Sequence, residues 1–391
     1  MRLSRRLSAS VVASTLLVAG LAGCSSDDGS GGTTDVVIGA DLASSSATDT
    51  AYARALQLMI EQINASGELG GKRLVLRIQD NRFDPTASLR NISTFADDPT
   101  VAAIVTGSCS ECVVGAAKTV TEKKVPTIAL MAASLTAHIP AASQRWVFKL
   151  GPNANDDASA LVAELQRTAT KTVAVLYSDD LYGRDAFAAV TNSLAKATIK
   201  VTETQKIKPN ASDVTQAVGA LADGGPDALL VLTGPDQAVL AATSAKTAKY
   251  KGRLYLDAGA AGDLFIPQEA AAAMNNATMV FTQTLAIDDV VATTPAKASR
   301  RQWFRDYTSR YGSYSGVAAF AADAAALISD GVARVGTDRG GIRNVLETSQ
   351  TDGLSGSIRL TPDNHSGLMP QALTLLVARS GRWRLSSSQL G

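Results

Sequence analysis

The stretch IEQINASGELGGKRLVLRIQDNRFDPTASL, residues 60–89, contains the end of one helix, a turn, a strand and the start of a second helix. Apolar residues recur at helical spacing until Gly67 ends the first helix. The run KRLVLRIQD, residues 72–80, has the pattern of a strand, and Asp84 followed by Pro85 caps the next helix. Helices and strands that alternate at these lengths predict right-handed βαβ units and a parallel sheet.

The same alternation extends in both directions along the chain and forms two series. Predicted strands occupy residues 34–42, 72–80, 101–107 and 125–130 in the first series, and 171–179, 199–207, 226–234 and 252–259 in the second. The tail differs, with a strand at 276–283, helices within 296–349 and two strands that flank Gly381. We therefore predict an α/β fold of two doubly wound parallel-sheet lobes joined by a three-strand hinge.

The late strands and helices predict lobes that are assembled from separate segments of the chain. We expect the first lobe to comprise residues 35–150 and 283–357, and the second lobe residues 151–282 and 358–391. The three hinge strands are expected near residues 147–151, 281–285 and 357–361. Closure of the two lobes about this hinge is the motion that such an arrangement predicts.

The first residues of the chain have the pattern of an export signal. Three arginines precede an apolar run, residues 11–21, that is too short to span a bilayer comfortably. Leu21-Ala22-Gly23-Cys24 resembles the bacterial lipobox, in which the cysteine carries the lipid. We predict a lipoprotein signal peptide at 1–23, lipidation at Cys24 and a flexible tether at 24–34. An ordinary signal peptide with a chance cysteine is the alternative.

Charge and composition argue against several function classes. The 37 Lys and Arg residues balance 36 Asp and Glu residues, and no basic run indicates nucleic-acid binding. His138 and His365 are the two histidines, and neither has a partner at metal-ligand spacing. We therefore predict that both histidines lie on the surface and that the protein needs no metal or cofactor. No G-x-S-x-G motif is present, and we predict no enzymatic activity.

Small hydroxyl residues follow the predicted strands of the first series, at the sheet edge where open α/β folds bind ligands. The N–H groups of the helices that begin there can hold a carboxylate, while Tyr182 and Asp257 of the second series can meet a cation or an amide. Each serine could instead serve only as a helix cap. The candidate ligand-binding residues are Thr48, Ser110, Ala132, Ala133, Ser134, Tyr182 and Asp257.

In three stretches, the chain resembles the type I periplasmic binding proteins, the branched-chain amino-acid-type solute receptors of ABC importers. These stretches are residues 60–89, residues 98–136 and VAVLYSDDLYGRDAF at 173–187. The resemblance covers about residues 35–285. It implies that two lobes close over a small ligand and that a membrane permease then accepts this ligand.

The resemblance implies a ligand-binding role for individual residues of this chain. It assigns ligand contacts to Ser110, to Ala132, Ala133 and Ser134, to Tyr182 and, for the ligand ammonium, to Asp257. The chain departs from the family pattern after the first strand, where Asp41-Leu42-Ala43-Ser44 replaces the usual P-L-S/T-G. It also lacks the aromatic residue that often follows the strand at 226–234. The ligand is therefore expected to be an amino acid or an amide-like molecule, with branched-chain specificity left open.

Cys109 and Cys112 remain after export, three positions apart at a strand end and a helix start. An oxidising compartment favours a local structural disulfide between them. Free buried thiols and a catalytic redox pair are the alternatives, because a helix start lowers a thiol pKa. Glu111 between the two cysteines is expected to be a solvated acid at the start of a helix.

Three hypotheses follow for the function of the chain. The first is a solute receptor of an ABC importer, anchored by lipid to the outer face of the cell membrane and partnered by a permease. The second is an extracytoplasmic sensor module of the same fold. The third is a thiol-disulfide redox protein that uses Cys109 and Cys112.

Overall fold

Two main sheets organise residues 34–386, which are the residues that the computed structural model describes. The predicted signal peptide, Cys24 and the predicted tether up to residue 33 lie outside this range. The strands are β1 (Thr34–Leu42), β2 (Lys72–Asp80), β3 (Val101–Thr106), β4 (Thr127–Ala129), β5 (Val147–Lys149), β6 (Thr172–Ser178), β7 (Lys200–Ile207), β8 (Ala228–Leu232), β9 (Arg253–Leu256), β10 (Thr278–Thr282), β11 (Gln350–Asp352), β12 (Ser357–Arg359), β13 (Leu373–Arg379) and β14 (Arg382–Leu385).

Helices cover both main sheets and follow most of the strands. They are α1 (Ala47–Ser66), α2 (Pro85–Asp97), α3 (Ser110–Glu122), α4 (Leu135–His138), α5 (Ala141–Gln144), α6 (Ala154–Arg167), α7 (Leu181–Lys196), α8 (Thr215–Asp223), α9 (Pro235–Thr247), α10 (Gln268–Met274), α11 (Pro295–Tyr311), α12 (Ala318–Val335) and α13 (Arg339–Leu346). No helix among the residues described is long and apolar enough to cross a membrane.

The first sheet has five parallel strands in the order β2-β1-β3-β4-β5. Strand β1 is buried from Val36 to Leu42, and β3 is buried along its whole length. Such continuous apolar runs are typical of parallel strands that carry helices on both faces. The predicted strands and helices of the first series are therefore confirmed, and α3 begins at Ser110.

The opening stretch folds as its sequence predicts. Helix α1 ends at Gly67, whose φ of 74° places it in the left-handed region that glycine adopts without a steric penalty. Asp84 caps α2 by accepting the N–H groups of Thr86 and Ala87. At the other end of α1, the Ser46 side chain caps the helix by accepting the Asp49 N–H.

The second sheet has seven strands in the order β14-β13-β10-β9-β8-β6-β7 and is mixed rather than wholly parallel. Strands β6 to β10 are parallel, whereas β13 runs antiparallel to both β10 and β14. The reason is the predicted turn at Gly381, which forms a hairpin that joins the sheet at its edge. The α/β fold with two sheet-based lobes is confirmed with this correction.

The chain passes between the two sheet regions three times. The crossings lie between β5 and α6, between β10 and α11, and between β12 and β13. The first and third are tied together, because the Lys149 N–H donates to His365 O and the Gly367 N–H donates to Lys149 O. The third crossing, residues 360–372, overlaps the predicted hinge strand at 357–361.

Both histidines lie at contacts rather than free on the surface, so the surface prediction is wrong. The ring of His365 stacks on Phe148 with a centroid distance of 4.2 Å, and its Nε2 lies 3.1 Å from a Glu347 oxygen. His138 Nε2 lies 2.5 Å from Oδ1 of Asp185. Both rings are partly buried because each fills a contact between segments that are distant in the sequence.

Candidate functional site

The carboxyl end of β3 places three buried hydroxyls close together in the chain. The side-chain oxygens of Thr106, Ser108 and Ser110 are buried and have no hydrogen-bond partner among the residues described. Ser110 is the first residue of α3, and Cys109 caps that helix through its sulfur. The predicted ligand residue Ser110 therefore offers a hydroxyl that no other group in this part of the chain uses.

Asp49 holds two of the strand-end loops together. Its carboxylate accepts the Ala43 N–H at 2.7 Å and the Ser108 N–H at 2.9 Å, and burial raises its pKa. Gly107 leaves room for this carboxylate, since a Cβ there would lie 2.3 Å from Asp49 Oδ2. The neighbouring candidate Thr48 lies in the first turn of α1 and is partly exposed.

Ser134 follows β4 and is joined to the other sheet region through its backbone. Its N–H donates to Oδ2 of Asp185 on α7 at 2.8 Å, while its hydroxyl caps α4 by accepting the Ala137 N–H. Of the two preceding candidates, Ala133 is buried and Ala132 is partly buried. The contact made by Ser134 across the two regions is thus a backbone contact, and the hydroxyl has a capping role.

Tyr182 and Asp257, the two candidates of the second region, are hydrogen-bonded to each other. The Tyr182 hydroxyl donates to Asp257 Oδ2 at 2.5 Å. Asp257 is only 1% exposed, and its Oδ1 has no partner among the residues described. Gly259 allows this packing, since a Cβ there would lie 1.8 Å from the tyrosine oxygen. Burial raises the pKa of Asp257 to about 7.

Asp157 on α6 is a second buried acid in this cluster, and sequence reasoning missed it. It is 6% exposed, and its Oδ1 also lacks a partner within residues 34–386. The backbone N–H of Ala258, directly after Asp257, lowers the pKa of Asp157, but by less than burial raises it. Burial, reinforced by the charge of Asp257, raises the pKa of Asp157 well above its ordinary value. The sequence signal that could have identified Asp157 is an acidic residue in the first turn of α6, the helix that follows the first crossing.

Lys149 lies beside these acids, but its ammonium group is fully hydrogen-bonded to two backbone oxygens and one side-chain oxygen of the crossing. Its Nζ donates to Gly151 O at 2.7 Å, to Pro152 O at 2.5 Å and to Asn153 Oδ1 at 3.0 Å. Burial lowers the pKa of Lys149 to about 8, and the charge of Asp157 opposes this shift. An ammonium group has three N–H donors, so Lys149 has none left for a ligand.

Glu111 corrects a further prediction, because it is partly buried rather than solvated. Its Oε1 accepts the Leu181 N–H at 2.8 Å, at the start of α7. Together with the bond from Ser134 to Asp185, this contact brings the start of α3 and the loop after β4 against α7. Another acid of the first region, Asp41, is fully buried and accepts hydrogen bonds from Asn81, Ser88 and Asn91.

Cys109 and Cys112 are joined by a disulfide at the start of α3. Both residues are buried, with 3% and 1% of their surface exposed. The bridge closes the first turn of the helix that carries Ser110 and Glu111.

Two cavities in the described part of the chain lie away from the candidate residues. One, of about 360 Å³, lies among α12, α13 and β11, and the other borders α10 and the turn at Gly381. Neither is lined by any of the predicted ligand residues.

A family model described as periplasmic binding protein matches residues 37–382. The chain belongs to the periplasmic binding protein family. The predicted resemblance to the type I branched-chain amino-acid-type members is confirmed by the family match and the curated relatives, and solved structures share the fold. Periplasmic binding proteins are ligand-binding proteins and not enzymes, so the redox hypothesis gains no support from the family.

Curated relatives of this periplasmic binding protein include the Leu/Ile/Val-binding protein homolog 7 of Brucella abortus and that of Brucella suis. Each is 25% identical over 216 residues, which is 53% of this chain and 53% of the relative. The chain thus spans about half the length of the curated relatives that it matches.

Solved structures share the fold at lower identity. An extracellular ligand-binding receptor from Rhodopseudomonas palustris HaA2 has a TM-score of 0.80 at 20% identity, covering 90% of this chain and 99% of that one. A leucine binding protein from Thermotoga maritima has a TM-score of 0.76 at 17% identity, covering 90% and 98%. An ABC transporter substrate-binding protein from Desulfitobacterium hafniense in complex with Leu has a TM-score of 0.73 at 17% identity, covering 90% and 100%.

Proposed function

We propose that this periplasmic binding protein is the extracytoplasmic receptor of an ABC importer and captures a small polar ligand between two lobes. One observation carries the proposal: unpartnered buried polar groups lie at helix starts and strand ends of both sheet regions. Ser110 supplies a hydroxyl on the first, and Asp157 and Asp257 supply carboxylate oxygens on the second. Such groups are expected where a ligand completes the hydrogen bonding.

Binding by both lobes explains why the ligand would favour closure. The contacts of Glu111 with Leu181 and of Asp185 with Ser134 hold the two regions together only locally. A ligand that touches both regions binds the closed arrangement more tightly and shifts the population toward it. A permease can then distinguish the loaded receptor by its shape.

Several parts of the proposal rest on the sequence and family alone. We propose lipid anchoring through Cys24 on the outer face of the cell membrane, delivery of ligand to an ABC permease, and lobe boundaries at residues 35–150 with 283–357 and 151–282 with 358–391. The ligand-binding roles of Ser110, Ser134, Tyr182 and Asp257 belong to the same proposal, with an amino acid or amide-like molecule as the ligand that the resemblance suggests.

The experiment is a thermal-shift screen of the purified chain against amino acids, amides, amines and carboxylates, followed by small-angle X-ray scattering with each compound that binds. A ligand raises the melting temperature by mass action. A saturating ligand is expected to make the protein more compact. The proposal is rejected if no class raises the melting temperature, or if a verified ligand leaves the scattering unchanged.

A further inference from the structure

Hydrogen bonds join the two sheet regions where α3 and the loop after β4 meet the start of α7. The Ser134 N–H donates to Oδ2 of Asp185 at 2.8 Å, and Nε2 of His138 lies 2.5 Å from Oδ1 of the same carboxylate. The Leu181 N–H donates to Oε1 of Glu111 at 2.8 Å. The partners lie between 47 and 70 positions apart in the sequence. These bonds therefore exist only while the two regions lie together.

Asp185 uses both oxygens of its carboxylate on the opposite region. It lies near the start of α7, whereas His138 is the last residue of α4 and Ser134 caps that helix. The side chain of Asp185 is 13% exposed and that of His138 is 23% exposed. A partly buried pair of this kind is screened by salt less than a surface pair. We call Asp185 with its partners Ser134 and His138 the latch.

The charged groups that flank His138 are held by other partners. On α3, the Glu111 carboxylate binds a backbone N–H of α7, and α5, which packs against α4, has no charged side chain. On α7, Arg184 pairs with Asp179 at 3.0 Å rather than with Asp185. The ionic partner of His138 in the described part of the chain is therefore Asp185.

Groups outside the latch also change charge near neutral pH. Burial raises the pKa of Asp257 to about 7 and lowers that of Lys149 to about 8, and the charge of Asp185 opposes the shift of Lys149. The second histidine, His365, lies at the third crossing. Any pH effect of the latch must therefore be separated from these groups by a substitution of its own histidine.

Protonation of His138 strengthens the latch. A histidine side chain changes its charge between pH 5 and pH 8. A neutral imidazole gives Asp185 an ordinary hydrogen bond, whereas an imidazolium gives a charge-assisted bond that is about twice as strong. Because this bond forms only when the two regions lie together, closure binds protons and protons favour closure. The closed arrangement is thus favoured as pH falls and weakened as pH rises.

Building on the proposed function, we propose that His138 and Asp185 form a pH-dependent latch that sets how often the ligand-free receptor is closed. The closed fraction is larger near pH 5.5 than near pH 8. A ligand that contacts both regions binds the closed arrangement, so its apparent affinity rises with the closed fraction. Acidification of the medium then favours capture of the ligand.

The test is hydrogen exchange of the ligand-free chain at pH 5.5 and pH 8. Protection is expressed relative to an unstructured chain at the same pH, so the intrinsic pH dependence of exchange cancels. The Ser134 and Leu181 amides are expected to be about 10-fold better protected at pH 5.5. Leu181 is the stricter reporter, because its acceptor is Glu111 and not a residue of the latch. The amide of Val175, within the buried strand β6, reports the stability of the whole fold at each pH.

His138→Gln removes the charge and keeps a side chain that can form hydrogen bonds. The 10-fold difference between the two pH values is expected to disappear in this variant, and any part that remains belongs to groups outside the latch. Asp185→Asn keeps the shape of the side chain and removes its charge. It is expected to lower the protection of the Leu181 amide at pH 5.5 about 10-fold, to the level that the wild type shows at pH 8.

Asp179→Asn is the matched control for Asp185→Asn. Asp179 is a more exposed acid directly before α7, and its partners Arg184 and Lys206 belong to the same sheet region. Its loss is expected to leave the protection of the Leu181 amide and its pH dependence unchanged. Small-angle X-ray scattering of the ligand-free wild type is expected to give a smaller radius of gyration at pH 5.5 than at pH 8.

The inference is overturned if the Leu181 amide of the wild type is equally protected at both pH values, or if His138→Gln keeps the full difference. It is also overturned if the Val175 amide changes as much as the Leu181 amide, because the effect is then one of global stability. Each of these results leaves the proposed receptor function standing, since compaction by a verified ligand is measured separately at a single pH. Absence of binding with every compound class would reject the receptor function, whereas a pH-dependent Leu181 amide would still support the latch.

Discussion

The Tyr182 hydroxyl and the Asp257 carboxylate form a 2.5 Å hydrogen bond in which the tyrosine donates to Oδ2 and leaves Oδ1 without a partner within the described residues. Tyr182 lies at the start of α7, and Asp257 directly follows β9. The bond therefore ties a helix start to a strand end of the same sheet and orients the free oxygen. The phenol therefore holds the carboxylate in one orientation, and the proposed ligand contact of Asp257 is assigned to Oδ1.

Asp257→Asn is expected to change how the stability of the ligand-free protein depends on pH. The folded pKa of Asp257 is about 7 and its ordinary value is 3.8, so between these values the folded state binds more protons than the unfolded state. The free energy of unfolding contributed by this group therefore falls as pH rises through this window. A shift of this size corresponds to at most about 4 kcal/mol.

Asp257→Asn lacks the Asp257 carboxylate, so we expect the variant to be more stable than the wild type at pH 8 and about as stable at pH 4. Thermal unfolding of both proteins at pH 4, 6 and 8 measures the difference in stability. Asp41, Asp49 and Asp157 also have raised pKa values, so the comparison is the difference between variant and wild type at each pH. An equal pH slope for both proteins would contradict the expectation.

Lys149→Met is expected to destabilise the fold at the first crossing between the sheet regions. The substitution leaves the carbonyl oxygens of Gly151 and Pro152 without the charged donor that binds them. The loss should be at least about 2 kcal/mol in chemical denaturation. Lys206→Met is the control, because this exposed lysine forms a surface ion pair with Asp179 and its loss should change stability by less than about 1 kcal/mol. Equal losses in the two variants would show that the buried contacts of Lys149 do not stabilise the crossing.

Ser110→Ala is expected to weaken ligand binding without lowering the stability of the ligand-free protein. Its hydroxyl is buried without a partner in the described chain, so removing it should leave the ligand-free stability unchanged or slightly raised. Affinity for a verified ligand should fall about 10-fold. Ser88→Ala is the matched control, since its hydroxyl donates to Asp41 at 2.6 Å, and its loss should cost about 1.5–3 kcal/mol of stability with little effect on affinity. Loss of stability without loss of affinity in Ser110→Ala would remove this hydroxyl from the site.

Cys24→Ala should abolish lipidation. The expected result is a chain that is retained as precursor or released from the membrane, measured by mass spectrometry of the N-terminus and by partition into detergent. Cys109→Ala is the control, because that cysteine lies in the disulfide with Cys112 and not in the lipobox. An acylated, membrane-bound Cys24→Ala chain would exclude the lipobox assignment.

The sequence predicted the local elements well because their signals lie within a few residues of one another. The end of α1 at Gly67, the cap of α2 at Asp84 and the buried strand at 101–106 each depend on neighbouring residues. The sequence was less successful where a polar side chain turns inward to a distant partner. Glu111 was expected in solvent, whereas its carboxylate accepts the Leu181 N–H, 70 positions away in the sequence.

The sequence by itself determined the α/β class, the two series of strands, the family resemblance and the positions of Ser110, Tyr182 and Asp257 at strand ends or helix starts. Only the tertiary structure decided that Asp185 binds Ser134, that Asp157 joins Asp257 and that the second sheet ends in an antiparallel hairpin edge. The physical reason is distance along the chain. Secondary structure follows from side-chain periodicity and capping, whereas the charge and hydrogen bonding of the site depend on residues that only folding brings together, such as Ser134 and Asp185, which are 51 positions apart.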